Sequence, residues 1–162
     1  MDFHIRDFQP GDRAAVNQTT LRAWEEYRRL FSDWSQVFEF LGRTAELAAD
    51  AQLIVAESAS SIVGVVLYVA PGRPREAAFP TEWSLIRMLS VIPEARGRGI
   101  GRGLTEECIQ RGRRDGARVI ALHTSPPVMG VALGLYRDMG FAFDRNIPDR
   151  HGLPYAIYRL AL

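Results

Sequence analysis

The sequence predicts an α/β domain with one mixed, mostly antiparallel sheet of about seven strands flanked by about four helices. Three observations carry this. The chain has 162 residues, 47% of them hydrophobic and 24% charged, the size and make-up of one globular domain spanning residues 1–162. Two strand–helix–strand passages lie in its second half, and such passages return the chain over a sheet. The other strands follow one another through turns, as antiparallel neighbours do.

The elements follow in order. Phe3–Asp7 reads as a first strand. Pro10 and Gly11 turn the chain, and Asp12 is placed to cap a helix from near Arg13 that carries Val16, Leu21, Trp24, Tyr27 and Phe31. Ser32 or Asp33 caps a second helix with Val37, Phe40, Leu41 and Leu47. Gln52–Ser58 and Ser61–Ala70, joined by small residues, predict a hairpin. Three prolines and a glycine make 71–80 a loop, and Glu82–Val91 is the next strand. A helix from about Gly101 to Asp115 turns Leu104, Cys108 and Ile109 inward and an arginine-rich face outward, and Gly116 ends it. Arg118–His123 is a strand, and a helix from about Met129 carries Ala132, Leu135, Tyr136 and Met139 as far as Gly140. Phe141–Arg145 and Tyr155–Leu160 close the sheet.

Composition excludes several functions. A net charge of +1 makes no electrostatic case for nucleic acid. All 20 basic residues are arginine, so neither Schiff-base chemistry nor the lysine of a P-loop is available. One cysteine, Cys108, forms no internal disulfide, and His4 and His151 stand isolated, so no metal is expected. The longest apolar run, Ile62–Ala70, is too short to span a membrane. The first residues lack the basic-then-apolar layout of a secretory signal, so a cytoplasmic protein away from membranes is expected. Charge is unevenly placed. Residues 1–60 hold 6 Arg against 10 Asp or Glu, and residues 61–162 hold 14 against 9. This reads either as chance on a solvated surface or as an acidic half for a cationic ligand and a basic half for an anionic one.

The chemistry concentrates in Arg96-Gly97-Arg98-Gly99-Ile100-Gly101-Arg102-Gly103, between a strand and a helix. Glycines let the backbone approach a ligand, and a helix N-terminus offers unpaired amides and a positive dipole end to a phosphate. A P-loop fails for want of lysine. A dinucleotide fingerprint fails in both registers, because its last glycine falls on Arg102 or Leu104. The pattern R-x-x-G-x-G is met by Arg96, Gly99 and Gly101.

With Ile5-Arg6 and Asp12 near the start, the strand Arg87-Met88-Leu89-Ser90-Val91 and the helix motif from Ala132 to Phe141, the chain resembles the GNAT superfamily of N-acetyltransferases. The resemblance covers nearly the whole chain and implies a GNAT-like sheet. It implies that the loop Arg96, Gly97, Arg98, Gly99, Ile100 and Gly101 cradles the diphosphate of acetyl-CoA, with Arg102 adding a charged contact. It implies that Leu89, Ser90 and Val91 lie along the pantetheine and the thioester, and that Tyr136 is the general acid for the leaving thiolate. The acceptor is then an amine, small or peptidic, attacked directly in a ternary complex. Two positions depart from the family. Leu85 stands where many members carry the Glu that helps deprotonate the amine, and Met129 stands where an Asn often touches the cofactor. Glu82 and His123 are the candidate bases, with water as the alternative. Trp24, Tyr27 and Phe31, interleaved with Glu25, Glu26, Asp33 and Glu39, are expected to wall the acceptor site and suit a cationic amine. A non-catalytic acyl-CoA-binding module on the same fold is the alternative, and a homodimer is left open.

Overall fold

Strands buried on both faces need cover on both sides, and the third strand here is apolar from Val63 to Val69 without alternation. In the computed structural model, which describes residues 2–162, that strand is an interior strand of one seven-stranded sheet. The strands are β1 (His4–Asp7), β2 (Gln52–Ser58), β3 (Ser61–Val69), β4 (Ser84–Val91), β5 (Val119–Thr124), β6 (Ala142–Arg150) and β7 (Leu153–Ala161). They lie in the order β1-β2-β3-β4-β5-β7-β6, and every pair is antiparallel except β4 with β5. The α-helices are α1 (Arg13–Trp24), α2 (Trp34–Leu41), α3 (Ile100–Arg114) and α4 (Gly130–Asp138). Among the described residues, no helix is long and apolar enough to cross a membrane.

Each face of the sheet has its own cover. On one, Ile54, Val66, Ile86, Ile120 and Leu122 pack against Leu104, Cys108 and Ile109 of α3 and Leu133 and Tyr136 of α4. On the other, Val16 of α1 packs on Leu53, Val55, Val65 and Leu67, and further along Leu85 packs with Val69, Phe79, Ala121 and Ile157. The approach of α3 is close because β3 carries Gly64, where a Cβ would stand 2.9 Å from Ile100 Cγ2 and 3.0 Å from Leu104 Cδ1.

Several expectations are corrected. Asp12 does not cap α1. Its carboxylate turns back to Arg6, at 2.7 Å and 3.1 Å, and to the Gln9 amide at 2.8 Å, a two-pronged pairing with a guanidinium that occupies both carboxylate oxygens. The first helix is not continuous to Phe31. Its α ladder ends at Trp24 and a 3-10 segment, Glu25–Leu30, follows. The break coincides with Arg96 donating to Ala23 O at 3.0 Å, a carbonyl of the last α turn. Asp33 caps α2 as expected, accepting from the Gln36 amide at 3.3 Å. That helix stops at Leu41, however, so Leu47 belongs to a separate 3-10 turn, Thr44–Ala49, and Phe40 is 45% exposed. The outer face of α3 is not wholly solvated. Arg111 is 9% exposed and bonds Glu107, Gln52 and Asp7, tying α3 to the sheet edge. The closing strand β6 runs on past Arg145 to Arg150, with Pro148 tolerated because β6 lies at the sheet edge.

One irregularity positions the site. The parallel strands β4 and β5 pair only at Ser84–Ile120 and Leu85–Ala121. Beyond that Met88 adopts φ +59° and the β3–β4 register slips opposite it, the signature of a bulge. The two strands part, and from Ile86 onward β4 has a strand partner on its β3 side alone.

Candidate functional site

A cleft of about 410 Å³ occupies the opening between β4 and β5. Its floor is Ile86 to Val91 and Leu122 to Thr124, and its walls come from the end of α1, the loop before α3, the inner side of α4 and Tyr155 of β7.

At one end, Gly97 and Gly99 have φ of +74° and +81°, the left-handed conformation that glycine adopts without a Cβ penalty. A Cβ built at either would meet nothing within 4 Å, so both face open space. The first α bond of the helix is donated by Gly103 to Gly99 O at 2.9 Å, and the amides of Ile100, Gly101 and Arg102 precede it. Gly97, Gly99, Ile100, Gly101 and Arg102 all line the cleft, and Arg98 is exposed beside it. These residues fit an anionic group such as a diphosphate: a cradle of amides, a helix dipole and room where side chains would stand. The Arg96 side chain is spent on protein. It donates to Val91 O at 3.1 Å and Ala23 O at 3.0 Å and pairs with Glu26, bracing the loop against α1 and β4.

In the middle, Leu89, Ser90 and Val91 line the cleft along the edge of β4 that no strand covers. Such an edge offers main-chain donors and acceptors to an extended ligand. Trp24 Nε1 donates to Ser90 Oγ at 3.0 Å, and Ser90 Oγ donates to Met88 O at 3.0 Å, so α1 is stitched to the bulge. Tyr136 reaches the cleft from α4. It is 5% exposed, and its burial, with the Cys108 thiol nearby, holds the phenol well above its usual value and therefore protonated.

The far end differs from expectation. Trp24 and Tyr27 wall the cleft, edge to face at 6.1 Å, but Phe31 does not reach it. Phe31 is 7% exposed and packs with Val37, Leu41, Leu153 and Tyr155. Glu82 is exposed in the turn before β4 and is not among the lining residues. His123 does line the cleft, between Phe79 at 5.8 Å and Tyr155 at 5.6 Å, with a buried Nδ1 that has no hydrogen-bond partner. Burial, then the charge of Arg150, pushes its pKa down to about 4 against the opposing pull of Glu76. Leu85 is 1% exposed and belongs to the core. The carboxylates expected to receive a cation are used elsewhere: Glu25 pairs with Arg28, Glu26 with Arg96, Asp33 caps α2 and Glu39 is exposed. Among the described residues no Asp or Glu lines the cleft. Sequence reasoning missed Arg87 and Tyr155, both of which do. An arginine inside the apolar run Leu85-Ile86-Arg87-Met88-Leu89 was the available signal.

Comparison with known proteins places this geometry. The family model described as Acetyltransferase (GNAT) family matches residues 16–141. Among solved structures, a GNAT family acetyltransferase from Brucella melitensis in complex with acetyl-CoA is 26% identical, covers 99% of this chain and 88% of its own, and superposes with a TM-score of 0.65. The ribosomal-protein-alanine N-acetyltransferase from the same organism is 24% identical over 98% of this chain and 99% of its own, with a TM-score of 0.70. An N-acetyltransferase from Thermoplasma acidophilum in complex with coenzyme A is 15% identical over all of both chains, with a TM-score of 0.73. The last two likenesses speak to the fold alone. No curated protein matches the sequence.

Proposed function

The chain belongs to the GNAT acetyltransferase family, and on that premise we propose that it transfers the acetyl group of acetyl-CoA to a primary amine by direct attack in a ternary complex, with Tyr136 as general acid. The observation that supports this reading is the meeting of three features in one cleft: the amide cradle at Gly97–Arg102, the uncovered edge of β4 and the buried phenol of Tyr136.

Acetyl-CoA supplies the activated acyl group and a thiolate leaving group. The amides of the first turn of α3 bind its diphosphate, with Arg102 adding charge. Arg96 holds that loop in place and leaves the contact to the backbone. The open edge at Leu89–Val91 runs along the pantetheine, and a main-chain amide there polarises the thioester carbonyl as negative charge develops on its oxygen. The amine nitrogen attacks the carbonyl carbon, the carbon–sulfur bond breaks, and Tyr136 gives its proton to the sulfur and regains one from solvent. The proton lost by the amine leaves through water. His123, neutral above its lowered pKa, accepts a hydrogen bond from the amine more readily than it stores a proton. Leu85 offers no carboxylate, so the amine must arrive largely neutral. An α-amine, of pKa ~8, meets that need about a hundred times better than a lysine-type amine of pKa ~10.4.

The test is thiol release from acetyl-CoA over a panel of α-amines, polyamines, aminoglycosides and peptides, with mass spectrometry of the products. An acetylated amine appearing with the thiol is the expected result. Acetyl-CoA binding without transfer to any amine marks a non-catalytic acyl-CoA-binding module.

A further inference from the structure

The face of the cleft that receives the amine is built around one arginine without a partner. Leu85 and Ala121 are paired across β4 and β5, and both face the same small core. Side chains two residues on share that face, so Arg87 and His123 project side by side where the strands part. Arg87 stands one residue before the Met88 bulge, and both it and His123 line the cleft. Around them stand Tyr155, Arg150 and Glu76. Arg150 lies 5.6 Å over the Tyr155 ring and takes Glu76 in a two-pronged ion pair, one contact at 3.1 Å.

The charges do not balance. The other buried or half-buried arginines are engaged: Arg6 with Asp12 and Glu57, Arg75 with four backbone carbonyls, Arg111 with Asp7 and Glu107, Arg150 with Glu76. Arg87 is half-buried and makes no hydrogen bond or ion pair among the described residues. Glu76 feels its charge but is bonded to Arg150. Two guanidiniums against one carboxylate leave a net positive pocket, and no Asp or Glu lines the cleft to offset it. A half-buried guanidinium without a partner is costly, and its planar fork matches a carboxylate.

Resting on the acetyltransferase reading, we propose that the acceptor is a small amine that also carries a carboxylate, as an α-amino acid does, and that Arg87 binds this carboxylate. The pairing places the amine beside the bulge, next to the reacting strand edge. Once paired with Arg87, the carboxylate no longer favours the ammonium form, so the amine loses its proton more readily in a cleft that has no acidic base.

The experiment compares α-amino acids with their carboxamides and with the amines left by removing the carboxyl group, for several side chains. Transfer is read as kcat/KM with acetyl-CoA. Recognition without chemistry is read by calorimetric titration into the CoA-loaded protein. The acid is expected to exceed its amide by about 10- to 100-fold, the worth of one charged, partly desolvated hydrogen-bonded pair. Arg87→Gln should collapse that ratio towards one, and Arg87→Lys should restore part of it. Thermal melts and CoA affinity confirm that the variants are folded. Equal transfer to acid and amide, or an acid preference that survives Arg87→Gln, overturns the assignment and leaves acetyl transfer standing. Carboxylate-selective, Arg87-dependent binding without transfer to any amine does the reverse. Neither selective binding nor transfer overturns both.

Discussion

Gly99 and Gly116 form a matched pair at the two ends of α3, and the comparison isolates the cofactor site from helix stability. Both have a left-handed backbone, φ +81° and +75°, and at both a Cβ would meet nothing within 4 Å. An L-residue in that conformation costs ~1–2 kcal/mol, so Gly99→Ala and Gly116→Ala should destabilise the fold alike, by about that much. Their effects on ligand binding should diverge. The open space at Gly116 lies at the far end of α3, whereas at Gly99 it is the proposed seat of the diphosphate. Gly99→Glu places a carboxylate there. At ~6 Å a unit charge repels a doubly charged diphosphate by roughly 1.5 kcal/mol at the dielectric of water, and by several times that at an effective dielectric of 20. A loss of at least ~10-fold in CoA affinity follows, and ~100-fold or more if the site is shielded. The assay is isothermal titration of CoA into wild type, Gly99→Ala, Gly99→Glu and Gly116→Ala, with urea melts of each. Full affinity in folded Gly99→Glu, or an equal loss in Gly116→Ala, refutes the placement of the diphosphate.

The remaining predictions concern packing and protonation. Gly64→Ala pushes a methyl to within 3.0 Å of the buried Ile100 and Leu104, and overpacking of this kind costs ~1–3 kcal/mol. Urea unfolding should show that loss, and CoA affinity should fall with it because Ile100 opens α3; an unchanged or raised stability contradicts the close seating of the helix. His123 makes stability fall as pH falls. The unfolded imidazole takes a proton below about 6.5, but the folded one, with its pKa near 4, does not until lower pH. Stability is therefore full above the unfolded value and drops by about 2 kcal/mol by pH 5. Glu76 and Asp12, both held below the ordinary carboxylate range, titrate beneath this window. His123→Phe should flatten the pH dependence of the urea midpoint between about pH 7.5 and 5, and an unaltered slope would assign it to other groups.

How far the sequence could be read depended on whether the signal was local. The α3 loop was legible because its requirements are local: glycine where φ is positive, a strand before and a helix after. The seven strands were legible for the same reason, since β3 and β5 are apolar runs with turn residues at their ends. Tyr136 was legible through its place in the Leu-Tyr-x-x-x-Gly-Phe motif, although its burial beside Cys108 is a tertiary fact. What failed was decided by partners distant in sequence. Asp12 chose Arg6 over the helix end, Ala23 O took a donor from Arg96, and Phe31 turned into a cluster with β7. The acceptor pocket was legible only in part: Trp24 and Tyr27 wall the cleft, but the carboxylates interleaved with them do not. Glu25 and Glu26 are close in sequence to Trp24 and Tyr27, but the 3-10 turn that carries them leaves them paired with Arg28 and Arg96 rather than lining the cleft. Arg87, Tyr155 and Arg150 come from three strands, β4, β7 and β6, with β5 between the first and the other two, and no local pattern brings them together.

The most direct test of acetyl transfer in this cleft is steady-state kinetics of Tyr136→Phe beside CoA titration. The buried phenol stays protonated across the working pH range, and it can donate usefully only as charge develops on the leaving sulfur. Phenylalanine keeps the ring and its 5.6 Å contact with Phe141 but removes the proton. The account predicts a fall in kcat of ~10²-fold with little change in CoA affinity, because the lost interaction exists only in the transition state. Normal turnover in a folded Tyr136→Phe protein with intact affinity would contradict it, leaving Tyr136 as a wall of the cleft and water as the acid.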